Sequence, residues 1–150
     1  MEEPKLVKDV VFGDKAREQI LKGVAKLTQA VSSTLGASGK CVILEDTNGN
    51  PSITKDGVTV ANSIVLQDPL ENIGATLLKQ AAQRTVGEAG DGTTTATVLA
   101  EAILKEAYKI GKNFSTREIK EGILGGVKKV VKYLEKNSKK INGKKITQVA

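Results

Sequence analysis

One run rich in glycine and threonine carries residue types that can bind phosphate. It reads Gly-Glu-Ala-Gly-Asp-Gly-Thr-Thr-Thr-Ala-Thr and occupies positions 87–97. The glycines on either side of Asp91 permit backbone conformations closed to other residues and a close approach to a ligand. Thr93–Thr95 offer hydroxyls and backbone N–H groups at a predicted helix start, where unpaired donors and the positive end of the helix dipole favour anions. Asp91 adds a hard oxygen ligand of the kind that Mg²⁺ requires when it bridges phosphates.

The same run also fits a purely structural role. A glycine-rich loop followed by an N-capped helix needs the same residue types, with Asp91 or one of the threonines as the cap. A Gly-Asp-Gly turn alone is weakly specific for a phosphate site, and the threonine triplet makes it moderately specific. The spacing alone favours the two interpretations equally.

Two further loops carry polar groups suited to phosphate chemistry. The loop at 34–40 has two glycines and a serine, and it is either a second backbone cradle or a helix stop before a hairpin. Its Gly-x-x-Gly-Lys spacing and the strand that follows exclude a P-loop. In the loop at 55–57, Lys55 could meet a γ-phosphate as a positive charge, and Asp56 could orient or deprotonate a water molecule. A turn with an exposed ion pair is the structural alternative there, and these residues alone favour it.

Helices are the main elements available to position these loops. The pattern over Asp14–Leu35 predicts a helix with Asp14 as its N-cap, because apolar residues recur at steps of three or four. Its apolar stripe consists of Ala16, Ile20, Val24, Leu27 and Val31. Short strands at 41–44 and 52–54, with Asn48 and Gly49 at the centre of the turn between them, predict a β-hairpin.

Two more helices are predicted between the hairpin and the glycine-rich run. The first is short and covers 58–64. The second begins at Asp68 as N-cap, with Pro69 at the first helical position and Glu71 at the third, and runs to about Val86. One side of this second helix carries Leu70, Ile73, Leu77 and Ala81.

The last two helices follow a predicted break over 87–92. The first runs from the threonines to about Ile110, and its inward residues are predicted to be Ala96, Leu99, Ile103 and Ile110. The second opens with a capping box formed by Ser115 and Glu118, and its apolar pattern ends after Asn137. Its core spacing is carried by Ile119, Ile123, Val127, Val130 and Leu134. In a bundle with short connections, the three polar loops are expected to meet at one end.

The composition favours a helical domain of one core. The chain has 150 residues, 39% hydrophobic and 27% charged, but only 3% aromatic. The core must therefore use Ala, Val, Ile and Leu. The complete lack of His excludes His-based metal sites and His-dependent triads.

Several features predict a cytoplasmic location. The single Cys41 cannot form an internal disulfide, which fits a reducing compartment. The start of the chain, 1–4, is acidic and unlike a signal peptide. No apolar run approaches the length that crosses a membrane.

The net charge of +6 is concentrated near the end of the sequence. From Lys128 to Lys145, eight lysines accompany a single acidic residue, Glu135. Such a run could contact nucleic acid, but it lacks arginine and, apart from Tyr133, interleaved aromatic residues. A solvated helix face followed by a polar linker is the favoured interpretation.

Four runs of sequence resemble the N-terminal part of group I chaperonins, the GroEL type of bacteria and organelles. They are KDVVFG at 8–13, TLG at 34–36, ITKDGV at 53–58 and AGDGTTTATVLA at 89–100. The similarity covers nearly the whole chain without large gaps, and the last run is long and specific.

The resemblance implies a mainly α fold, the multi-helical chaperonin equatorial domain with a small β-hairpin. Residues 1–138 would be the first segment of this ATP-binding domain, and 139–150 the start of the intermediate, hinge domain. The expected cofactors are ATP, Mg²⁺ and K⁺. The expected assembly is a homo-oligomeric ring, heptameric and stacked in pairs, that works with a co-chaperonin on unfolded client proteins. Neither a membrane nor nucleic acid is expected as a partner.

The resemblance also assigns roles to residues of this chain. Asp91 would be the Mg²⁺ ligand and Asp56 would assist hydrolysis. Lys55 would lie near the γ-phosphate and a K⁺ ion. The residues that hold the phosphates would be Gly92, Thr93, Thr94 and Thr95. The opposite wall of the pocket would be formed by Thr34, Leu35, Gly36 and Ala37. The K⁺ ion would also lie near Thr34 and Thr94.

The sequence departs from the family pattern in one loop. Where the family usually has Gly-Pro-Lys-Gly, this chain has Gly-Ala-Ser-Gly at 36–39. Ala37 lacks the fixed φ of proline, so that wall is expected to be less preorganised. Ser38 removes a positive charge, which is expected to alter nucleotide affinity.

Three functions remain open from the sequence, of which a nucleic-acid binder based on the lysine-rich run ranks last. The first is an ATP-driven folding machine in which hydrolysis switches ring subunits between states. The second is a truncated, non-hydrolysing chaperonin module that acts only through ring or subunit contacts. Turnover of MgATP at low and high K⁺ distinguishes these two.

Overall fold

Helices make up most of the computed structural model, which describes residues 9–45 and 49–139. Within those residues the order is α1 (Gly13–Ser32), β1 (Val42–Glu45), β2 (Pro51–Thr54), α2 (Gly57–Ser63), α3 (Pro69–Ala89), α4 (Thr93–Ile110) and α5 (Thr116–Asn137). The described residues form two compact units, the first ending at Glu106 and the second beginning at Ala107. The predicted mainly α architecture with one small hairpin is confirmed.

The two ends of α1 differ from their predicted positions. The N-cap is Phe12, which makes no side-chain cap bond, and Asp14 lies in the first turn. The predicted capping role of Asp14 is therefore wrong, and its carboxylate instead lies 3.8 Å from the guanidinium of Arg17. The helix ends at Ser32 rather than near Leu35, because the next N–H groups bond three residues back, from Thr34 to the Val31 carbonyl at 3.1 Å.

The closest helix contact in the first unit joins α1 to α3 through two glycines. A methyl group at Gly23 of α1 would overlap the carbonyl oxygen of Glu71 in α3. In the reverse direction, a methyl group at Gly74 would overlap the carbonyl oxygen of Ile20. The two backbones can therefore approach closely only because both positions lack side chains. The ammonium of Lys26 also lies 2.5 Å from a carboxylate oxygen of the buried Glu71.

The hydrophobic core lies among α1, α2 and α3. Its buried members are Val24, Leu27, Val31, Val60, Ala61, Ala75 and Leu78. The predicted apolar stripe of α1 is confirmed, with Ile20 only half-buried at its edge. Val42 and Leu44 of the hairpin and Ala100 of α4 pack against this core from its margin.

The buried sides of α3 and α4 are not the ones that carry the largest apolar residues. In α3 the buried positions are Glu71, Gly74, Ala75, Leu78 and Ala82, whereas Ile73 and Leu77 are 48% and 55% exposed. In α4 the buried positions are Thr93 and Thr97. The predicted inward residues Leu99, Ile103 and Ile110 are exposed, and Ala96 is half-buried. In α3 a small residue is required at Gly74, because the backbone of Ile20 in α1 lies too close for a side chain.

The hairpin leads directly into one of the polar loops. β1 pairs antiparallel with β2, with Val42 opposite Thr54 and Ile43 opposite Ile53. The first strand begins at Val42, one residue later than predicted. Gly49 has the positive φ expected of the turn, at 81°, while Asn48 lies outside the described residues.

The second unit consists of the end of α4, a tight turn and α5. The predicted capping box is confirmed: the Glu118 N–H donates to the Ser115 hydroxyl at 3.3 Å, and the Ser115 N–H donates to the Glu118 carboxylate at 2.8 Å. These bonds to Ser115 lower the pKa of the Glu118 carboxyl. The predicted core residues of α5 share one face, but Ile119 and Ile123 are only half-buried and Val127, Val130 and Leu134 are exposed.

Two sequence predictions fall on or beyond the limit of the described chain. Residues 140–150 lie outside it, so the boundary at 138–139 and the lysines after Lys139 stay predictions.

Among the helices that are described, none combines the length and the apolar character needed to cross a membrane.

The cap of α3 gives a first testable prediction. The Asp68 carboxylate accepts from the N–H groups of Leu70 and Glu71 at 2.9 and 3.0 Å. Asp68→Ala should therefore lower the free energy of unfolding by about 1 kcal/mol, measured as a shift in the urea midpoint. Asp14→Ala is the matched control, because Asp14 caps nothing, and it should change stability by less than about 0.5 kcal/mol. Equal effects of the two substitutions would contradict the capping role.

Candidate functional site

Three loops that are distant in sequence meet at one pocket of about 300 Å³ in the first unit. The pocket is lined by Thr34, Leu35, Gly36, Lys55, Asp56, Gly57, Asp91, Gly92, Thr93, Thr94 and Thr95. The expected meeting of the polar loops at one place is thus observed. All the residues that the sequence proposed for the site lie in this lining except Ala37, which is exposed outside it.

The first wall is the tight loop that follows α1. The Thr34 hydroxyl donates to the Val31 carbonyl at 2.8 Å, which leaves the lone pairs of its oxygen available as acceptors. Gly36 has a φ of 77°, a conformation that glycine adopts without strain. The Lys40 N–H closes the loop by donating to the Ser33 carbonyl at 2.8 Å.

The second wall is the junction between β2 and α2. Asp56 is the N-cap of α2: its Oδ2 atom accepts from the Thr59 N–H at 2.8 Å and from the Thr59 hydroxyl at 2.6 Å. Bonds from Thr59 lower the pKa of the Asp56 carboxyl, because they favour its charged form. At neutral pH this exposed carboxylate is therefore a fixed negative charge beside Lys55 at the pocket.

The third wall is the turn between α3 and α4. Helix α3 continues to Ala89, so the predicted break over 87–92 shrinks to Gly90, Asp91 and Gly92. Both glycines have positive φ, 76° and 88°. The Asp91 carboxylate accepts from the Gly92 N–H at 2.6 Å. Two left-handed residues around one exposed carboxylate make the chain turn sharply and present Asp91 to the pocket.

The threonines that open α4 have different surroundings. Thr93 is buried, Thr94 half-buried and Thr95 exposed. The buried Thr97 donates its hydroxyl to the Thr93 carbonyl at 2.9 Å. Because α4 begins at Thr93, its first N–H groups have no partner within the helix and carry the positive end of the dipole. The pocket is lined by these residues, which makes it suited to a bound anion.

The arrangement fits a phosphate group that brings a divalent cation with it. Within the described residues, no group of three or more Asp, Glu, Cys or His side chains could hold a metal ion. A cation at Asp91 would therefore not be enclosed by three such side chains, and oxygens of the bound anion and of water can complete its coordination. Mg²⁺ commonly binds in this way, through one or two carboxylates and substrate phosphates.

Gly57 belongs to the predicted polar loop at 55–57 and lines the pocket, but the sequence interpretation assigned it no role at the site. A methyl group at Gly57 would overlap the Thr94 hydroxyl and would lie 3.4 Å from a methyl of Val31. Gly57 thus allows the start of α2 to lie against the start of α4. The available signal was a glycine at the first helical position, directly after the acidic cap, where glycine has no advantage as a helix former.

Gly57→Ala should accordingly destabilise the protein by about 1–3 kcal/mol through overpacking. Adding Thr94→Ala should recover most of that loss, because the nearest remaining Thr94 atom, Cβ, would lie 3.6 Å from the new methyl. Gly125→Ala, in open space on α5, is the control and should be neutral or stabilising. Urea midpoints of the single and double variants measure the coupling, and additive effects would contradict the contact.

Comparisons with known proteins identify the family of the chain and agree with its fold. A family model described as the TCP-1/cpn60 chaperonin family matches residues 27–150. A relative described as "Heat shock protein 60", from Emericella nidulans, is 49% identical over 145 residues, which is 95% of this chain and 25% of the relative. The chain thus spans about a quarter of the length of that curated relative. The predicted resemblance to a group I chaperonin segment is confirmed, and the helical architecture is consistent with an equatorial domain. By the extent of the family match, the chain belongs to the TCP-1/cpn60 chaperonin family.

Proposed function

We propose that this chain supplies the phosphate-binding side of an ATP site in a chaperonin subunit that hydrolyses ATP. The observation that supports the proposal is the convergence of three loops on one pocket, with the start of α4 as one wall. The lining is rich in hydroxyls, backbone groups and charges, and Leu35 is its one large apolar side chain. These residues suit the phosphate end of a nucleotide better than the base.

The first turn of α4 would bind the phosphates directly, and Asp91 would bind them through a metal ion. The N–H groups and hydroxyls of Thr93–Thr95 would donate to phosphate oxygens, and Gly92 would let the backbone approach them. Asp91 would hold Mg²⁺, which neutralises charge on the phosphates during transfer. The bond from the Gly92 N–H at 2.6 Å supports this role, because it fixes the orientation of the carboxylate.

Thr34, Thr94 and Lys55 would form the K⁺ site. The two hydroxyl oxygens come from different walls of the same pocket, and oxygen atoms are the ligands that hard cations take. The Lys55 ammonium would repel a cation, so its backbone carbonyl is the group proposed as the ligand. The ammonium itself would face the γ-phosphate.

Asp56 would orient the attacking water molecule. Its lowered pKa keeps the carboxylate charged at neutral pH, so it serves as a fixed acceptor for the water rather than as a strong base. Asp56→Asn should keep the α2 cap, since Asn caps as well as Asp, but should lower kcat by about a hundredfold or more. Affinity for ATP should be nearly unchanged.

Turnover of MgATP by the complete natural protein tests the Asp56 role and the proposed function together. The wild type should hydrolyse ATP faster at high K⁺ than at low K⁺, and Asp56→Asn should bind ATP without turning it over. Loss of ATP binding with unchanged kcat would make Asp56 a binding residue. A wild type that binds but does not hydrolyse ATP would favour the non-hydrolysing module.

The wider role follows from family membership. We propose a homo-oligomeric ring, heptameric and stacked in pairs, in which ATP hydrolysis switches subunits between states that bind and enclose unfolded proteins under a co-chaperonin. Family membership supports this role, and so does the similarity to a protein named for heat shock.

A further inference from the structure

One threonine next to the pocket engages a site residue without lining the pocket itself. Thr59 lies at the third position of α2, is exposed, and is not among the lining residues. Both of its hydrogen-bond donors reach the same atom, Oδ2 of Asp56, at 2.8 Å from the N–H and 2.6 Å from the hydroxyl. The N–H bond is the usual N-cap bond, so the hydroxyl bond is additional to what the helix needs.

We propose that the Thr59 hydroxyl is a positioning group that sets the orientation of the Asp56 carboxylate toward the pocket. A carboxylate held only by backbone N–H groups, here that of Thr59 and to a smaller extent that of Val58, can still rotate about its Cβ–Cγ axis, since that torsion is broad in aspartate. Two donors that converge on one oxygen from different directions fix this rotation. The direction of both carboxylate oxygens is then set before a ligand arrives.

The backbone of Asp56 is anchored separately. Its N–H donates to the Thr54 hydroxyl at 3.0 Å, and its carbonyl accepts from the Val60 N–H at 3.0 Å. The main chain therefore stays in place when the Thr59 hydroxyl is removed, and only the side chain gains freedom. Loss of the hydroxyl should accordingly change the alignment of the carboxylate more than the fold.

This inference rests on the proposed function, in which Asp56 aligns the attacking water. Alignment of a reacting group acts on the transition state and not on ground-state binding. Removal of the hydroxyl should therefore appear in kcat and leave KM and the ATP dissociation constant nearly unchanged. If Thr59 had only a structural role, its substitution would instead lower thermal stability without a selective fall in kcat.

The experiment compares three variants of the complete natural protein under MgATP turnover. Thr59→Val replaces the hydroxyl with a methyl of similar size and keeps the N–H bond, and kcat should fall about tenfold. Thr59→Ala removes the same hydroxyl without a β-branch and should behave in the same way. Thr59→Ser restores a hydroxyl and should return kcat to within about twofold of the wild type.

A double variant separates this inference from the proposed function. Asp56→Asn combined with Thr59→Val should be no slower than Asp56→Asn alone, because the two residues act as one unit. If Asp56→Asn loses turnover while Thr59→Val and Thr59→Ala keep wild-type kcat, the positioning role is wrong and the proposed function stands. If Asp56→Asn keeps wild-type kcat, the proposed role of Asp56 is wrong, and the inference from it falls as well.

Discussion

Asp91→Ala should abolish Mg²⁺-dependent nucleotide turnover in the complete protein and leave the fold intact. The loss should be at least about 10²–10³-fold, because Mg²⁺ stabilises the charge that develops on the transferred phosphoryl group. The fold should survive because Asp91 is exposed and its carboxylate bonds only to the adjacent Gly92 N–H among the contacts described for it. Among residues 9–45 and 49–139, no core contact depends on this side chain.

Initial rates of phosphate release, with Mg²⁺ varied at fixed ATP, measure this effect. Glu88→Ala is the matched control, because Glu88 is an exposed carboxylate near the end of α3 that does not line the pocket. It should retain wild-type rates. If Asp91→Ala turned over ATP at the wild-type rate, the assignment of Asp91 as the metal ligand would be wrong.

Gly23→Ala should destabilise the protein by about 3 kcal/mol, near the upper end of the range for overpacking. The new methyl group would overlap a backbone oxygen, that of Glu71, rather than a side chain that can rotate away. Helix α1 must therefore move away from α3, which disturbs the core that the two helices share. The ion pair between Lys26 and Glu71 lies at the same contact.

Urea denaturation compares Gly23→Ala with Gly87→Ala. Gly87 is also a helical glycine, but a methyl group there meets nothing within 4 Å, so Gly87→Ala should stabilise the protein by about 0.5–1 kcal/mol. Both substitutions change helix propensity in the same way, so the difference between their stabilities measures the contact between α1 and α3. Similar midpoints for the two variants would show that α1 and α3 do not pack through Gly23.

Local signals in the sequence were reliable where they depend on neighbouring residues. The cap at Asp68 and the capping box at Ser115 are set by hydrogen bonds within one turn of helix, and both are observed. Asp14 has the same residue type as Asp68, yet it falls inside the first turn of α1. A polar residue near a helix start thus indicates the start to within a residue or two but does not identify the cap.

The buried side of α1 follows its apolar stripe, but the buried sides of α3 and α4 could not be predicted from hydrophobicity. Helix α3 turns Gly74 and Ala75 to its neighbours and leaves Leu77 exposed. The reason is tertiary: close backbone approach selects small residues, and the partner helix is far away in sequence. The same reason hid the role of Gly57, whose importance depends on Thr94 in another helix.

The location of the site was predictable because its residues cluster in three short loops with recognisable types. The sequence could not provide the orientation of the groups within it. The sequence allows two roles for Asp56, a catalytic group or a partner in an exposed ion pair. In the structure its Oδ2 atom instead accepts hydrogen bonds from Thr59 as the cap of a helix. That engagement requires α2 to begin at Gly57, which only the folded chain determines.

The most direct test of the nucleotide site is a structure of the complete protein with Mg²⁺ and a non-hydrolysable ATP analogue. We expect phosphate oxygens within hydrogen-bond distance of the N–H groups at the start of α4, in the pocket that Thr34, Lys55 and Asp91 line. We also expect Mg²⁺ coordinated by Asp91. A nucleotide bound with its phosphates away from Gly92–Thr95, or a metal ion that does not contact Asp91, would contradict the proposed site.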